Sequence, residues 1–258
     1  MTLKVYGIRE STCTSRILTV LAEKGVTDYE FITMGPADMK APEHLARQPF
    51  GKIPAIDDDG FVLSESRAIC KYLAKKYANQ GTKLMPDDDD LKGYGRFEEA
   101  CSYEAFYFNH PAESIGVERL FKGYARPPAR SPSPSPSQTQ EPTHTDKQIT
   151  KHSAHGNGPA DEALVAQYKS QLDDALKIYD VILAKRAYLA GDQVSLADLF
   201  HLPYGKLAKE LGFPDIFEPF PNVKRWFEGL EGRESWMGVP SIMEFFARMR
   251  GAKEGAAE

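Results

Sequence analysis

Ser11, Thr12 and Cys13 stand in succession just ahead of an apolar helical pattern, which places two hydroxyls and a thiol where a helix would begin beside a strand end. Such a position stabilises an anion and lowers a thiol pKa from its reference near 8.5. Any of the three can act there, or Ser and Thr can simply cap the helix. A second set lies at Ser64-Glu65-Ser66, which leads into the helical spacing of Ile69, Tyr72, Leu73 and Tyr77. The free N–H groups and positive dipole end of that helix favour an anion, and the flanking Glu65 can receive an amine. Together these suit a small peptide carrying both charges, although a plain capped helix explains the same segment. Lys52-Ile53-Pro54 supplies the third piece. Pro54 at the start of a strand cannot donate to a ladder, and a cis Ile53–Pro54 bond would present the N–H and C=O of Ile53 to an extended peptide.

These residues need a frame to hold them. Lys52 to Ile56 and Phe61 to Leu63 are separated by Asp57-Asp58-Asp59-Gly60, which predicts a β-hairpin. Leu3 to Ile8 predicts a strand, Arg16 to Lys24 a helix ended by a left-handed Gly25, and Tyr29 to Thr33 a second strand. The first 80 residues therefore have the order β-α-β, loop, β-β-α, which is thioredoxin-like. A Gly-, Pro- and Asp-rich linker occupies 81–90. The region 91–250 carries only helical patterns, at about 91–109, 111–122, 161–185, 195–211 and 221–231. Phe97, Tyr103, Phe106, Tyr107 and Phe108 form an aromatic cluster, mostly core, with one or two members free to floor an apolar pocket. Ser195 and Asp198 have capping-box spacing, with Val194 and Leu199 as the flanking staple, so Asp198 is assigned to structure rather than catalysis.

Composition narrows the class. The 258 residues with 41% hydrophobic content can build one large domain or two small ones. A net charge of −5 and the absence of a basic run with interleaved aromatics argue against nucleic acid. No apolar stretch approaches the roughly 18 to 20 residues of a membrane helix, and no signal-peptide pattern opens the chain. Cys13, Cys70 and Cys101 are odd in number and far apart, which fits a reducing compartment and no zinc pattern. A cytoplasmic protein without a metal is the expectation. Residues 126–160, with their Ser-Pro repeats and scattered His144, His152 and His155, are too polar to bury a core and are expected to be disordered. The segment from Gly251 onward is expected to fray.

With these pieces laid out, the chain resembles a cytosolic glutathione transferase, and most the phi class in its fungal form. The matching segments are Ser11-Thr12-Cys13-Thr14, Arg47-Gln48-Pro49-Phe50-Gly51-Lys52-Ile53-Pro54 and Ser64-Glu65-Ser66-Arg67-Ala68-Ile69. Tyr188-Leu189-Ala190-Gly191-Asp192, Ser195-Leu196-Ala197-Asp198-Leu199 and His201-Leu202-Pro203-Tyr204 continue the series. The resemblance implies a thioredoxin-like α/β domain (1–80) and an all-α domain (91–250) interrupted by the insertion. It also implies a homodimer and glutathione as co-substrate. Ser11 matches the serine whose hydroxyl stabilises the glutathione thiolate for conjugation to hydrophobic electrophiles, with hydroperoxide reduction as a companion activity. Ile53 and Pro54 match the backbone partner of the cysteinyl unit. Glu65 and Ser66 match the binders of the γ-glutamyl amine and carboxylate, and Lys40 and Lys52 fall near the glycine carboxylate. Met39 and Lys52 depart from the His and Gln that many phi members have. Thr12, Phe106 and Phe121 are the candidates for the electrophile pocket, and Phe50 for contact with a second subunit. Two alternatives stand beside conjugation: a thiol transferase or deglutathionylase using Cys13, and a ligand carrier without catalysis.

Overall fold

The computed structural model describes residues 2–122 and 158–254. The bulk of the segment expected to be disordered, with its Ser-Pro repeats and its three histidines, lies outside the described residues.

Strands β1 (Leu3–Gly7), β2 (Tyr29–Thr33), β3 (Ala55–Asp58) and β4 (Phe61–Ser64) form one sheet in the order β2-β1-β3-β4. β1 runs parallel to β2 and antiparallel to β3, and the β3–β4 hairpin pairs Ala55 with Ser64 and Asp58 with Phe61. Asp59 and Gly60 both take positive φ at its tip, as the Asp-Gly signal predicts. Helices α1 (Thr12–Glu23) and α3 (Ser66–Lys76) pack on each other and supply Ile17, Val20, Leu21, Ile69 and Leu73 to the core. Gly25, at φ +62°, ends α1 in the left-handed conformation that glycine adopts without strain.

Two corrections concern this half. α1 begins at Thr12 rather than Arg16, because Thr14 and Ser15 are themselves buried and tertiary packing overrides their weak helix propensity. A short α2 (Pro42–Arg47), started by Pro42 in its first turn, lies where no helix was expected.

The helical half opens with α4 (Leu91–Tyr103) and α5 (Asn109–Gly116), joined through a π-type segment at Glu104–Phe108 and followed by another at Val117–Phe121. Two helices were expected here, and the backbone instead runs continuously with two wider turns. α6 (Glu162–Leu183) packs along α5 and against α9 (Pro221–Glu231). The expected helix at 195–211 is split into α7 (Leu196–Leu199) and α8 (Leu202–Glu210), the second with Pro203 in its first turn. α10 (Glu234–Met237) and α11 (Ile242–Glu254) were not foreseen, and α11 carries helix through residues expected to fray.

The halves meet where α1 packs against α7, α8 and α10. Glu23 at the end of α1 accepts hydrogen bonds from Arg233 (2.5 and 2.8 Å) and Ser235 (2.5 Å). Burial opposes its charge, but these bonds and that of Thr82 outweigh it and hold the carboxyl below its ordinary range. Asp198 is wholly structural: it accepts from the N–H of Leu189 (2.9 Å) and Ser195 (2.9 Å), the Ser195 hydroxyl (2.8 Å) and Trp226 Nε1 (3.0 Å).

Candidate active site

Ser11 occupies the N-cap position of α1 with φ −63° and ψ 132°, yet its hydroxyl makes no capping bond and no other hydrogen bond among the described residues. Its backbone does the local work. The Ser11 carbonyl accepts from the Ser15 N–H (2.8 Å) and from Ser15 Oγ (2.9 Å). The reading of Ser11 as a plain side-chain cap therefore loses its support. The half-buried hydroxyl is free at the positive end of a twelve-residue helix.

Pro54 follows Ile53 through a cis peptide bond. Neither the N–H nor the C=O of Ile53 is paired with another backbone group among the described residues, because β3 begins only at Ala55. The loop before it is clamped from behind. Buried His44 bonds the Lys52 carbonyl through Nε2 at 2.7 Å, and the Lys52 N–H donates to Gln48 Oε1 at 3.1 Å. The exposed Lys40 ammonium donates to the carbonyls of Phe50 (3.4 Å) and Gly51 (3.3 Å). Gly51 is required at this point: its φ is +60°, and a Cβ would lie 2.8 Å from the Met39 carbonyl oxygen. Lys40 and Lys52 therefore share one exposed loop edge.

Glu65 precedes α3 at φ 71° and ψ 110°, a conformation that costs a non-glycine residue about 1–3 kcal/mol and persists where the surroundings impose it. Its carboxylate is exposed, and Ser66 beside it is buried at the helix start.

Under this surface lies a charge cluster that sequence reasoning missed. Arg16 of α1 is fully buried. Its Nε donates to the Phe200 carbonyl (3.1 Å), and its Nη2 to Glu104 Oε1 (3.0 Å) and Asn109 Oδ1 (2.8 Å). Its Nη1 lies 3.7 Å from Cys13 Sγ and 3.5 Å from Ser66 Oγ. Arg67 of α3 forks onto the same Glu104 carboxylate at 2.6 and 2.8 Å. Burial works against the Glu104 charge, but the Arg16 charge and the bonds from Arg67 outweigh it, so its pKa is lowered. One residue thus reaches both candidate subsites, Cys13 beside Ser11 and Ser66 beside Glu65. A signal existed for one of the two: Glu104 interrupts the aromatic run Tyr103 to Phe108, and an acid that folds inward there needs a partner.

The π-type segment also decides the aromatic cluster. Its wider turn sends Glu104 and Phe108 inward and leaves Phe106 and Tyr107 exposed. Phe106 lines a groove of about 550 Å³ with Tyr103, Tyr107, Pro111 and Ile178, between that segment and α6. Thr12 is buried and hydrogen-bonded with Tyr204, while Phe121 meets Phe246 of α11 with ring centroids 5.7 Å apart. The structure does not bring Phe106 together with Thr12. Among the described residues no group of acidic, histidine and cysteine side chains is placed to hold a metal, and no helix is long and apolar enough to cross a membrane.

Comparison with known proteins gives a consistent family. The model "Glutathione S-transferase, N-terminal domain" matches residues 1–75, and "Glutathione S-transferase, C-terminal domain" matches 126–234. Glutathione S-transferase hmp2 of Hypomyces subiculosus is 42% identical over 238 residues, covering 92% of this chain and 97% of that one. The crystal structure of poplar glutathione transferase F1 superposes with a TM-score of 0.74 at 31% identity, covering 93% of this chain and 96% of that chain. Glutathione S-transferase I from maize, solved with an atrazine glutathione conjugate, gives 0.73 at 29% identity over 93% and 96%.

Proposed function

This chain belongs to the glutathione S-transferase family, in its phi class, and is an enzyme of that kind; from that premise we propose that Ser11 is the residue that readies glutathione for attack. The observation carrying this is the unused hydroxyl: a serine at an N-cap ordinarily accepts from an N–H of its own helix, whereas among the described residues the Ser11 hydroxyl neither accepts nor donates, so its O–H and the first N–H groups of α1 face the same open position. Donation from Ser11 to the glutathione sulfur, with the positive end of α1 behind it, favours thiolate over thiol and so raises the nucleophile's population near neutral pH. The thiol proton passes to solvent. The sulfur then forms a bond to an electrophilic carbon, and the leaving group departs with the bonding pair. With a hydroperoxide in place of the carbon electrophile, the same thiolate attacks the terminal oxygen, the O–O bond breaks and the alkoxide leaves as alcohol, and a second glutathione converts the resulting sulfenic acid to glutathione disulfide and water.

The remaining groups hold the tripeptide. The unpaired backbone of Ile53 ahead of Pro54 suits an extended peptide's main chain. The exposed carboxylate of Glu65 takes the γ-glutamyl amine, and Ser66 with the free N–H groups of α3 takes the adjacent carboxylate. Lys40 and Lys52 give the loop edge two cations for the glycine carboxylate. In this reading residues 1–80 form the glutathione-binding unit, 81–90 a linker and 91–250 the helical unit. The protein acts as a cytoplasmic detoxifying homodimer, the exposed Phe50 ring of each subunit resting in the groove beside Phe106 of the other.

One contact favours a second reading. The Arg16 guanidinium lies 3.7 Å from Cys13 Sγ, and in this reading Cys13 attacks the glutathionyl sulfur of a glutathione mixed disulfide, taking the glutathionyl group as the old S–S bond breaks and the other thiol leaves. Conjugation of glutathione to 1-chloro-2,4-dinitrobenzene by the wild type, Ser11→Ala and Cys13→Ser separates the two. Loss of about 100-fold or more confined to Ser11→Ala is expected. Loss confined to Cys13→Ser would replace the serine mechanism with thiol exchange.

A further inference from the structure

Beyond Ser11, α5 presents a polar ladder to the first turn of α1. Arg16 donates to Asn109 Oδ1 at 2.8 Å, and Asn109 Nδ2 donates onward to Glu113 Oε2 at 2.9 Å. Glu113 is one helical turn further along, about 6 Å on, and is exposed. It forms no ion pair among the described residues. The neighbouring charges are committed elsewhere: Arg16 and Arg67 to Glu104, and Arg248 to Glu10. His110 is turned to the Tyr168 ring. From α8 the Tyr204 hydroxyl meets the same space. It is hydrogen-bonded with Thr12, and burial and then the facing groups of Cys13 and Glu113 push its pKa up, so it stays a neutral phenol. Two turns beyond Glu113 the surroundings become apolar at Phe121 and Phe246. Among the described residues the space over Asn109 and Tyr204 therefore has a carboxylate floor with no cation paired to it, and aromatic side chains two turns further along.

We propose that Glu113 makes this transferase selective for aromatic electrophiles that carry a cationic or hydrogen-bond-donating substituent, and that it selects against those bearing an anion. The inference rests on the placement of the thiolate by Ser11. The ring of such a substrate packs against Phe121 and Phe246, and its charged group exchanges water for the Glu113 carboxylate. A carboxylate in place of that group meets repulsion that solvent only partly screens.

The test uses three chloronitrobenzenes that differ in one substituent: 4-chloro-3-nitrobenzylammonium, 4-chloro-3-nitrobenzyl alcohol and 4-chloro-3-nitrobenzoate. Each is assayed with the full-length wild type, Glu113→Gln and Glu113→Asp. The ratio of kcat/KM for the cation over the anion cancels their intrinsic reactivities when compared between variants. A fall of about tenfold in that ratio for Glu113→Gln, carried by KM, with the ratio kept within about threefold in Glu113→Asp, is the expected result. An unchanged ratio in Glu113→Gln, with the alcohol still turned over by the wild type, overturns the role of Glu113 and leaves the transferase reading in place. If the wild type conjugates 1-chloro-2,4-dinitrobenzene but none of the three, this inference falls while the Ser11 reading stands; if it conjugates none of the four, the Ser11 reading fails first and this inference with it.

Discussion

Lowering the pH from 7.5 to 5 should destabilise the helical core through His201. His201 is fully buried, edge-on to Phe108 and Trp226 at 4.6 and 5.0 Å between ring centroids. Its Nδ1 faces the Ala197 carbonyl at 2.8 Å, which can only accept, so Nδ1 carries the proton and Nε2 accepts from the Tyr179 hydroxyl at 3.1 Å. No acceptor is left for a second proton, and burial pushes the pKa from 6.5 down to about 4. Between those values the unfolded chain binds a proton that the folded chain refuses, so stability rises with pH across that window and falls on acidification. At about 1.36 kcal/mol per pKa unit, the loss is about 2 kcal/mol at pH 5 and approaches about 3 kcal/mol near pH 4. Urea unfolding at pH 7.5, 6.5, 5.5 and 5.0, for the wild type and His201→Gln, isolates this contribution as the difference between the two slopes. The variant starts less stable but should lose about 2 kcal/mol less between pH 7.5 and 5.0. Parallel profiles would refute the assignment of a neutral, fully bonded imidazole. The consequence reaches the site, because Phe200, next to His201, supplies the carbonyl that holds Arg16.

Two further outcomes follow from the same geometry. Glu104→Gln leaves the fully buried Arg16 without a countercharge, which should cost about 3–5 kcal/mol in urea unfolding; a loss below about 1 kcal/mol would show that Asn109 and the Phe200 carbonyl suffice. Phe50→Ala should raise the monomer fraction in sedimentation. Burying each ring contributes about 2 kcal/mol and symmetry counts it twice, so the dimer Kd should rise roughly a thousandfold, whereas an unchanged distribution removes Phe50 from any interface.

Much of the fold was legible because its signals are local. The Asp-Gly hairpin, the Gly25 stop and the Ser195–Asp198 capping box each depend on residues a few positions apart, and each appears as expected. The helix starts beside Ser11 and Glu65 and the cis bond ahead of Pro54 are likewise local, each set within its own turn. What stayed hidden depends on distance along the chain. Arg16 and Glu104 are 88 positions apart, and Arg67 and Glu104 are 37 apart, so no window contains both ends of either pair. The side on which Phe106 emerges is set by a π-type turn that shifts the helical phase within five residues, which a period of 3.6 does not anticipate. The start of α1 was misplaced for a related reason: Thr12 to Ser15 are poor helix formers held by contacts that only the folded chain supplies.

The central claim is that Ser11 spends its hydroxyl on the glutathione sulfur, and the ionisation of bound glutathione reads it most directly. Thiolate absorbance near 240 nm, followed against pH for the binary complexes of wild type and Ser11→Ala, should show a thiol pKa in the wild type at least about one unit below that of free glutathione. In Ser11→Ala, with glutathione still bound by calorimetry, the pKa should return most of the way. Equal pKa values in the two complexes would contradict the account and move the source of ionisation to Cys13 and the Arg16 cluster.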